Sequence, residues 1–108
     1  MKNEVIITNR FLTARVDADS ILYLKKQSRK IFVHTENKSY WEYCAMEDML
    51  ERAGTKMYPC HHFLAVNLDK VQDVSYVEVT LINGMKLHMS RSALLRAKKA
   101  WKRHIGRI

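Results

Sequence analysis

Short apolar segments rich in β-branched and aromatic residues follow one another along most of this chain, and each is closed by a polar turn. Residues 21–24, 30–35 and 39–43 are three of them. Such residues fit the pleated, half-buried surface of a sheet. The dipeptide Asn83-Gly84 stands between two further segments and tolerates positive φ, which favours a type I′ hairpin turn. The pattern therefore predicts a mainly β fold.

Two segments change to helical spacing. Apolar residues recur at i, i+3 and i+4 over residues 45–52, which predicts a short central helix that stops at Gly54. Residues 92–103 carry an apolar stripe on one side and basic residues on most of the other. This spacing predicts a basic amphipathic helix at the C-terminus, with Ser90 or Ser92 as its N-cap.

The excess positive charge is confined to the end of the chain. Residues 1–78 hold eleven Lys/Arg and eleven Asp/Glu, whereas residues 79–108 hold eight Lys/Arg and no acid, so the last segment carries the whole net charge of +8. Lys and Arg that contact a polyanion release its condensed counterions, so nucleic acid is one natural partner. A solvated basic tail would explain the charge equally well.

Several classes of protein are disfavoured. The longest apolar run is far below the ~20 residues that cross a bilayer, and no apolar segment follows Met1, so we expect neither membrane insertion nor a secretory signal. Cys44 and Cys60 are then expected to be reduced thiols in a cytoplasmic protein. The run Cys60-His61-His62 lacks paired zinc spacing, and neighbouring strand residues point to opposite faces. We expect no metal, no cofactor and no enzyme activity.

The aromatic run Tyr40-Trp41-Glu42-Tyr43 has two interpretations. Strand alternation puts Tyr40 and Glu42 on one face and Trp41 and Tyr43 on the other. Packing of one face into the core is the more ordinary outcome. The alternative is a platform on which the bases of a single-stranded nucleic acid stack.

Four sequence blocks, in order, resemble the LytTR family of DNA-binding domains. The blocks are residues 21–24 with 29–35, Tyr40 with 46–50, 60–71 with its Cys-His start and Val-Asn, and the hairpin 81–91 with its Ser-Arg end. The resemblance covers about residues 15–100 of what is expected to be a single domain over 1–108. It implies a mainly β, LytTR-type elongated fold of small stacked sheets, with a short central helix and a basic C-terminal helix.

The resemblance also implies a function: sequence-specific binding of double-stranded DNA and regulation of transcription in a bacterial, response-regulator-like protein. Family members read successive major grooves with loops between strands. The implied base contacts are Arg29, Lys30, Asn67 and Arg91. Phosphate contacts are expected from Lys26, His62, Lys70 and Ser90, and from Lys99 on the basic helix. From the residues alone, Asn67 would instead be a turn residue that bonds its own backbone.

The resemblance implies two copies on promoter direct repeats, with a possible homodimer on DNA and a possible regulatory protein partner. Residues 1–14 are too few for a receiver domain, so a stand-alone regulator is expected. His62-Phe63 stands where the family usually has Arg-Ser, and Pro59 where it has Arg, which bears on affinity rather than on fold. Two rival functions stay open: an RNA or single-strand binder, and a protein-interaction module that uses the basic C-terminal helix.

Overall fold

The computed structural model describes residues 3–106, and strands make up most of its regular structure. The strands are β1 Glu4–Asn9, β2 Leu12–Asp17, β3 Ile21–Gln27, β4 Lys30–Thr35, β5 Ser39–Tyr43, β6 Met57–His61, β7 Leu64–Asn67, β8 Val71–Val74, β9 Glu78–Leu81 and β10 Lys86–His88. The helices are α1 Met46–Ala53 and α2 Arg91–Ile105, with 3-10 turns at Ala18–Ser20 and Leu68–Lys70. The predicted mainly β fold, its short central helix and its basic C-terminal helix are confirmed.

A five-stranded antiparallel sheet, in the order β5-β4-β3-β7-β6, lies at the centre of the fold. One of its faces carries Leu24, Ile31 and Val33 into a core shared with the β1–β2 hairpin and α1. The other face carries Tyr23 and Val66 into a second core shared with α2 and the small sheet β10-β9-β8. Strand alternation thus supplies both cores from one sheet.

Strand register brings two turns to the same end of the central sheet. Lys25 pairs with Leu64, and the Lys26 N–H donates to the Phe63 carbonyl oxygen at 2.8 Å, so β7 begins beside the end of β3. We call this end, with the β3–β4 turn (Ser28, Arg29) and the β6–β7 turn (His62, Phe63), the turn end. The far end is the opposite one, where β3 begins at Ile21 and β7 finishes at Asn67.

Helix α2 runs along β6 between these two ends. Its Arg96 Nη2 donates to the Cys60 carbonyl oxygen at 3.4 Å, and its His104 Nε2 lies 2.5 Å from Asp69 Oδ1 at the far end. The first turn of α2 therefore lies toward the turn end. Of the two predicted caps, Ser90 is the N-cap, and its Oγ accepts from the Ala93 N–H at 3.2 Å. No helix within residues 3–106 has the length and apolarity needed to cross a membrane.

The hairpin predicted at Asn83-Gly84 joins β9 to β10, but its turn type differs from the prediction. The Gly84 N–H donates to the Leu81 carbonyl oxygen at 2.9 Å, and the Leu81 N–H donates to the Met85 carbonyl oxygen at 2.8 Å. These two bonds enclose a loop of three residues, 82–84. Gly84 has φ +90°, whereas Asn83 is not among the positive-φ residues. The type I′ prediction is wrong, because only Gly84 takes the left-handed conformation, as in a type I turn with a bulge.

Candidate nucleic-acid interface

The β3–β4 turn presents Arg29 at its tip. Ser28 has φ +58°, the only positive value for a non-glycine residue within residues 3–106. Such strain persists only where the surrounding structure imposes it, and it is common at functional sites. Arg29 is exposed and makes no ion pair with any described residue. Together with Lys26 and Tyr43 it lines an open hollow of about 660 Å³, whose cations favour an anionic ligand.

Lys30, the other predicted base contact of this turn, is held differently. Its Nζ lies 4.2 Å from the centroid of the Trp41 ring and 5.9 Å from that of Tyr43, and the residue is half-buried. A cation above an aromatic face at this distance is stabilised by about 0.5–1 kcal/mol at an exposed site. Of the two residues, Arg29 is thus the free cation at the tip of the turn.

The β6–β7 turn exposes His62 and Phe63 beside it. The Phe63 N–H donates to His61 Nδ1 at 3.2 Å, which fixes the backbone of the turn. His62 lines a shallow hollow with Arg96 of α2, so a basic side chain from a distant segment joins the turn end. The sequence does not predict this position of Arg96, because it depends on how α2 packs along β6.

The Cys60 thiol is not exposed at the β6–β7 turn. Its side chain is buried in the second core, while the neighbouring His61 is exposed, as strand alternation predicts. Burial raises the pKa of the Cys60 thiol to about 12, which disfavours the reactive thiolate. Within residues 3–106, no three His, Cys, Asp or Glu side chains are grouped so that they could hold a metal ion.

The start of α2 supplies the third group of predicted contacts. Ser90 and Arg91 are exposed there, and Arg91 lines a small hollow with Tyr76 and Lys98. Further along the helix, Lys99 is also exposed. In the described part of the chain, Arg91, Lys98 and Lys99 have no acidic partner.

Asn67 lies away from these groups, inside the far end of the sheet. It is only 2% exposed. Its Nδ2 donates to the Ile21 carbonyl oxygen at 2.8 Å, and its Oδ1 accepts from the Asp69 N–H at 3.0 Å. The predicted base contact of Asn67 is contradicted by this burial, because both amide atoms are used within the fold. The alternative interpretation, in which Asn67 is a turn residue that bonds its own backbone, describes its side chain.

Lys70 also lies at the far end. Its Nζ forms an ion pair with Glu36 Oε2 at 3.0 Å, and its side chain is only 19% exposed. This geometry disfavours the predicted phosphate contact of Lys70, because Glu36 already pairs with the ammonium at the end opposite Arg29. The sequence could not reveal the pair, whose members are far apart along the chain.

Of the eleven Asp and Glu residues, six form ion pairs within residues 3–106. Ion pairs join Arg15 to Glu4, Arg52 to Glu42, Lys56 to Asp19 and Asp69, Lys70 to Glu36, and Lys86 and His88 to Glu78. Glu47, at the start of α1, is one of the acids without an ion pair among the described residues, and it lines the hollow that holds His62. The turn end nevertheless offers several cations to a polyanion.

Comparisons with known proteins identify the family and the fold. The family model of the LytTr DNA-binding domain matches residues 13–102. A solved structure described as the LytTr DNA-binding domain of a methyl-accepting/DNA response regulator from Bacillus cereus superposes with a TM-score of 0.74. The two sequences are 15% identical, and the match covers 98% of this chain and 99% of that one, so it establishes the shared fold. Among curated proteins, no significant match is found.

Proposed function

The chain belongs to the LytTR family of DNA-binding domains, and from this premise we propose that it binds duplex DNA sequence-specifically and regulates transcription. One observation carries the proposal: exposed Arg29 and His62 lie in two turns at the turn end, and exposed Arg91 begins α2, whose first turn lies toward the same end. This arrangement supports a single interface along one stretch of duplex. The family is one of DNA-binding domains, not of enzymes, so binding itself is the proposed activity.

Within this interface, we assign the reading of bases to Arg29 and Arg91. An exposed arginine can form a bidentate pair with guanine, which contributes ~1–3 kcal/mol of discrimination. The β3–β4 turn and the start of α2 would then enter successive major grooves. Lys30 is left out of the base contacts because its ammonium lies over Trp41.

Phosphate contacts fix the register of such a complex and carry no sequence information themselves. We assign them to the groups that flank the two arginines and to the exposed side of α2. They are Lys26, His62, Ser90 and Lys99. We further propose that residues 1–108 act as one domain and that two copies occupy direct repeats.

Selection of bound duplexes from a random pool tests this function. We expect recovery of a defined sequence motif, and we expect Arg29→Ala to lose the preference at one position of that motif. Lys70→Ala is the matched control, because Lys70 is also a predicted contact but is paired with Glu36 at the far end. Recovery of no motif, or an equal loss of preference with Lys70→Ala, would contradict the proposed interface.

A further inference from the structure

Most of an aromatic surface on the central sheet lies outside the proposed duplex interface, and only its Tyr43 also lines the hollow at Arg29. Phe32 pairs with Trp41 and Lys30 with Tyr43 across β4 and β5, so these side chains share one face. Phe11, at the turn of the β1–β2 hairpin, adds its ring 6.4 Å from that of Trp41. We call the surface formed by Phe11, Phe32, Trp41 and Tyr43 the aromatic face.

Two rings of the aromatic face, those of Phe11 and Tyr43, are unusually accessible, and those of Phe32 and Trp41 are half-buried. Phe11 is 78% exposed and Tyr43 is 56% exposed, whereas aromatic side chains are on average highly buried. The Trp41 and Tyr43 centroids lie 5.1 Å apart, so Phe11, Trp41 and Tyr43 form a row of neighbouring rings. Packing of one face into the core, the more ordinary interpretation of this aromatic run, describes Tyr40, which packs against the first core. Trp41 and Tyr43 lie on the other face and belong to neither core.

Cations are interleaved with these rings. The Arg10 guanidinium lies 5.3 Å from the centroid of Phe11, and Lys30 Nζ lies 4.2 Å from that of Trp41. The acid of β5, Glu42, belongs to the other face, where both of its carboxylate oxygens accept from Arg52 at 2.7 and 3.2 Å. The aromatic face thus combines π surfaces with positive charge.

The β1–β2 hairpin already occupies part of the edge of β5 at which a peptide strand could pair. Asn9 Nδ2 donates to the Trp41 carbonyl oxygen at 2.8 Å, and the Thr8 N–H donates to Glu42 Oε1 at 3.0 Å. The β1–β2 hairpin thus covers part of β5. The features that the aromatic face offers to a ligand are its flat rings and its positive charge, which do not require strand addition.

We propose that the aromatic face binds single-stranded nucleic acid. Every base has a π face that can stack on Tyr43, Trp41 or Phe11, and a positively charged surface beside the rings attracts the phosphates. A base that stacks on Trp41 displaces the Lys30 ammonium, which then becomes available to a phosphate. The site is separate from Arg91 and does not depend on the duplex function.

Binding of a fluorescein-labelled oligothymidylate of about 12 nucleotides tests the proposal. Tyr43→Ala and Phe11→Ala should each weaken binding about 5- to 150-fold, the change that corresponds to the loss of one stacked base. Tyr76→Ala is the matched control, because Tyr76 is 82% exposed but belongs to the β8–β9 turn. Circular dichroism of each variant checks that the fold is retained.

A second readout uses the intrinsic fluorescence of Trp41. In a Trp101→Phe variant, Trp41 is the only tryptophan, and its emission should be quenched as the oligonucleotide binds. An oligouridylate repeats the titration with RNA, and quenching by either strand supports the proposal.

Three results would overturn it: no measurable binding of either oligonucleotide, equal losses for Tyr43→Ala and Tyr76→Ala, or quenching of Trp41 by an acidic peptide but by neither strand. Arg91→Ala separates the two functions, because it should weaken duplex binding and leave binding of the single strand unchanged.

Discussion

The side chain of Asn67 joins the end of β7 to the start of β3, since its Nδ2 donates to the Ile21 carbonyl oxygen at 2.8 Å. Its Oδ1 also accepts from the Asp69 N–H and caps the 3-10 turn Leu68–Lys70. A residue at the end of an apolar strand thus closes the far end of the fold. The proposed DNA contacts lie at the other end of the same sheet.

Replacement of this amide should affect stability and leave DNA recognition intact. In Asn67→Ala, the buried Ile21 carbonyl oxygen loses its side-chain donor, and we expect unfolding to become easier by ~1–3 kcal/mol in urea denaturation. Asn37→Ala is the control, because the Asn37 side chain is exposed and makes no hydrogen bond within residues 3–106. A loss of base preference without a loss of stability would indicate instead that Asn67 contacts DNA.

Arg91 should determine one base of the DNA site. We expect Arg91→Ala to cost ~1–3 kcal/mol on the preferred duplex and to relax the preference at a single position of each half-site. Competition binding against duplexes that carry each substitution at that position measures both effects. An equal loss of affinity on every duplex would reduce Arg91 to a phosphate contact.

Lys99 should act on every duplex alike. Removal of one phosphate contact by Lys99→Ala should weaken binding about uniformly and lower the slope of log K against log salt by ~1. Lys70→Ala should leave that slope unchanged, because its ammonium is paired with Glu36. Identical slopes for wild type and Lys99→Ala would show that this side of α2 does not contact DNA.

Asp69 should make stability depend on pH. The hydrogen bond from His104 and the contacts from Lys56 hold the pKa of the Asp69 carboxyl below its usual range. Since the folded-state pKa is the lower one, the stabilisation is present above the unfolded value of about 3.9 and is lost as pH falls through the folded pKa. Asp69→Asn should therefore destabilise the protein near pH 7 but hardly at all in strong acid.

Thermal unfolding of Asp69→Asn and wild type across this range measures the difference. Asp73→Asn, at an exposed acid of β8 without an ion pair among the described residues, is the control. A difference from wild type that stays constant at all pH values would rule out a contribution from the Asp69 charge.

The elements of the fold could be predicted from local sequence because their causes are local. Short runs of β-branched, apolar and aromatic residues predict β3, β4 and β5, and helical spacing predicts α1 and α2 to within a few residues. The turn at Asn83-Gly84 was predictable as a hairpin but not in its type, since Asn83 uses its Oδ1 to accept from the Met85 N–H at 3.0 Å.

The site was less predictable because it depends on contacts between distant segments. An asparagine after an apolar strand has the same local sequence signal whether it is exposed or bonds its own backbone. The burial of Asn67 follows from the register of β7 against β3. Likewise, the pairing of Lys70 with Glu36 and the position of Lys30 over Trp41 follow only from the assembled sheet.

Amide chemical-shift changes on addition of the selected duplex test the central claim most directly, because they report the contacted surface residue by residue. We predict the largest changes in the turns at Ser28-Arg29 and His62-Phe63 and at Ser90-Arg91, with little change from Asn67 to Lys70. Changes concentrated at Asn67 and Lys70, with the two turns unaffected, would contradict an interface at the turn end.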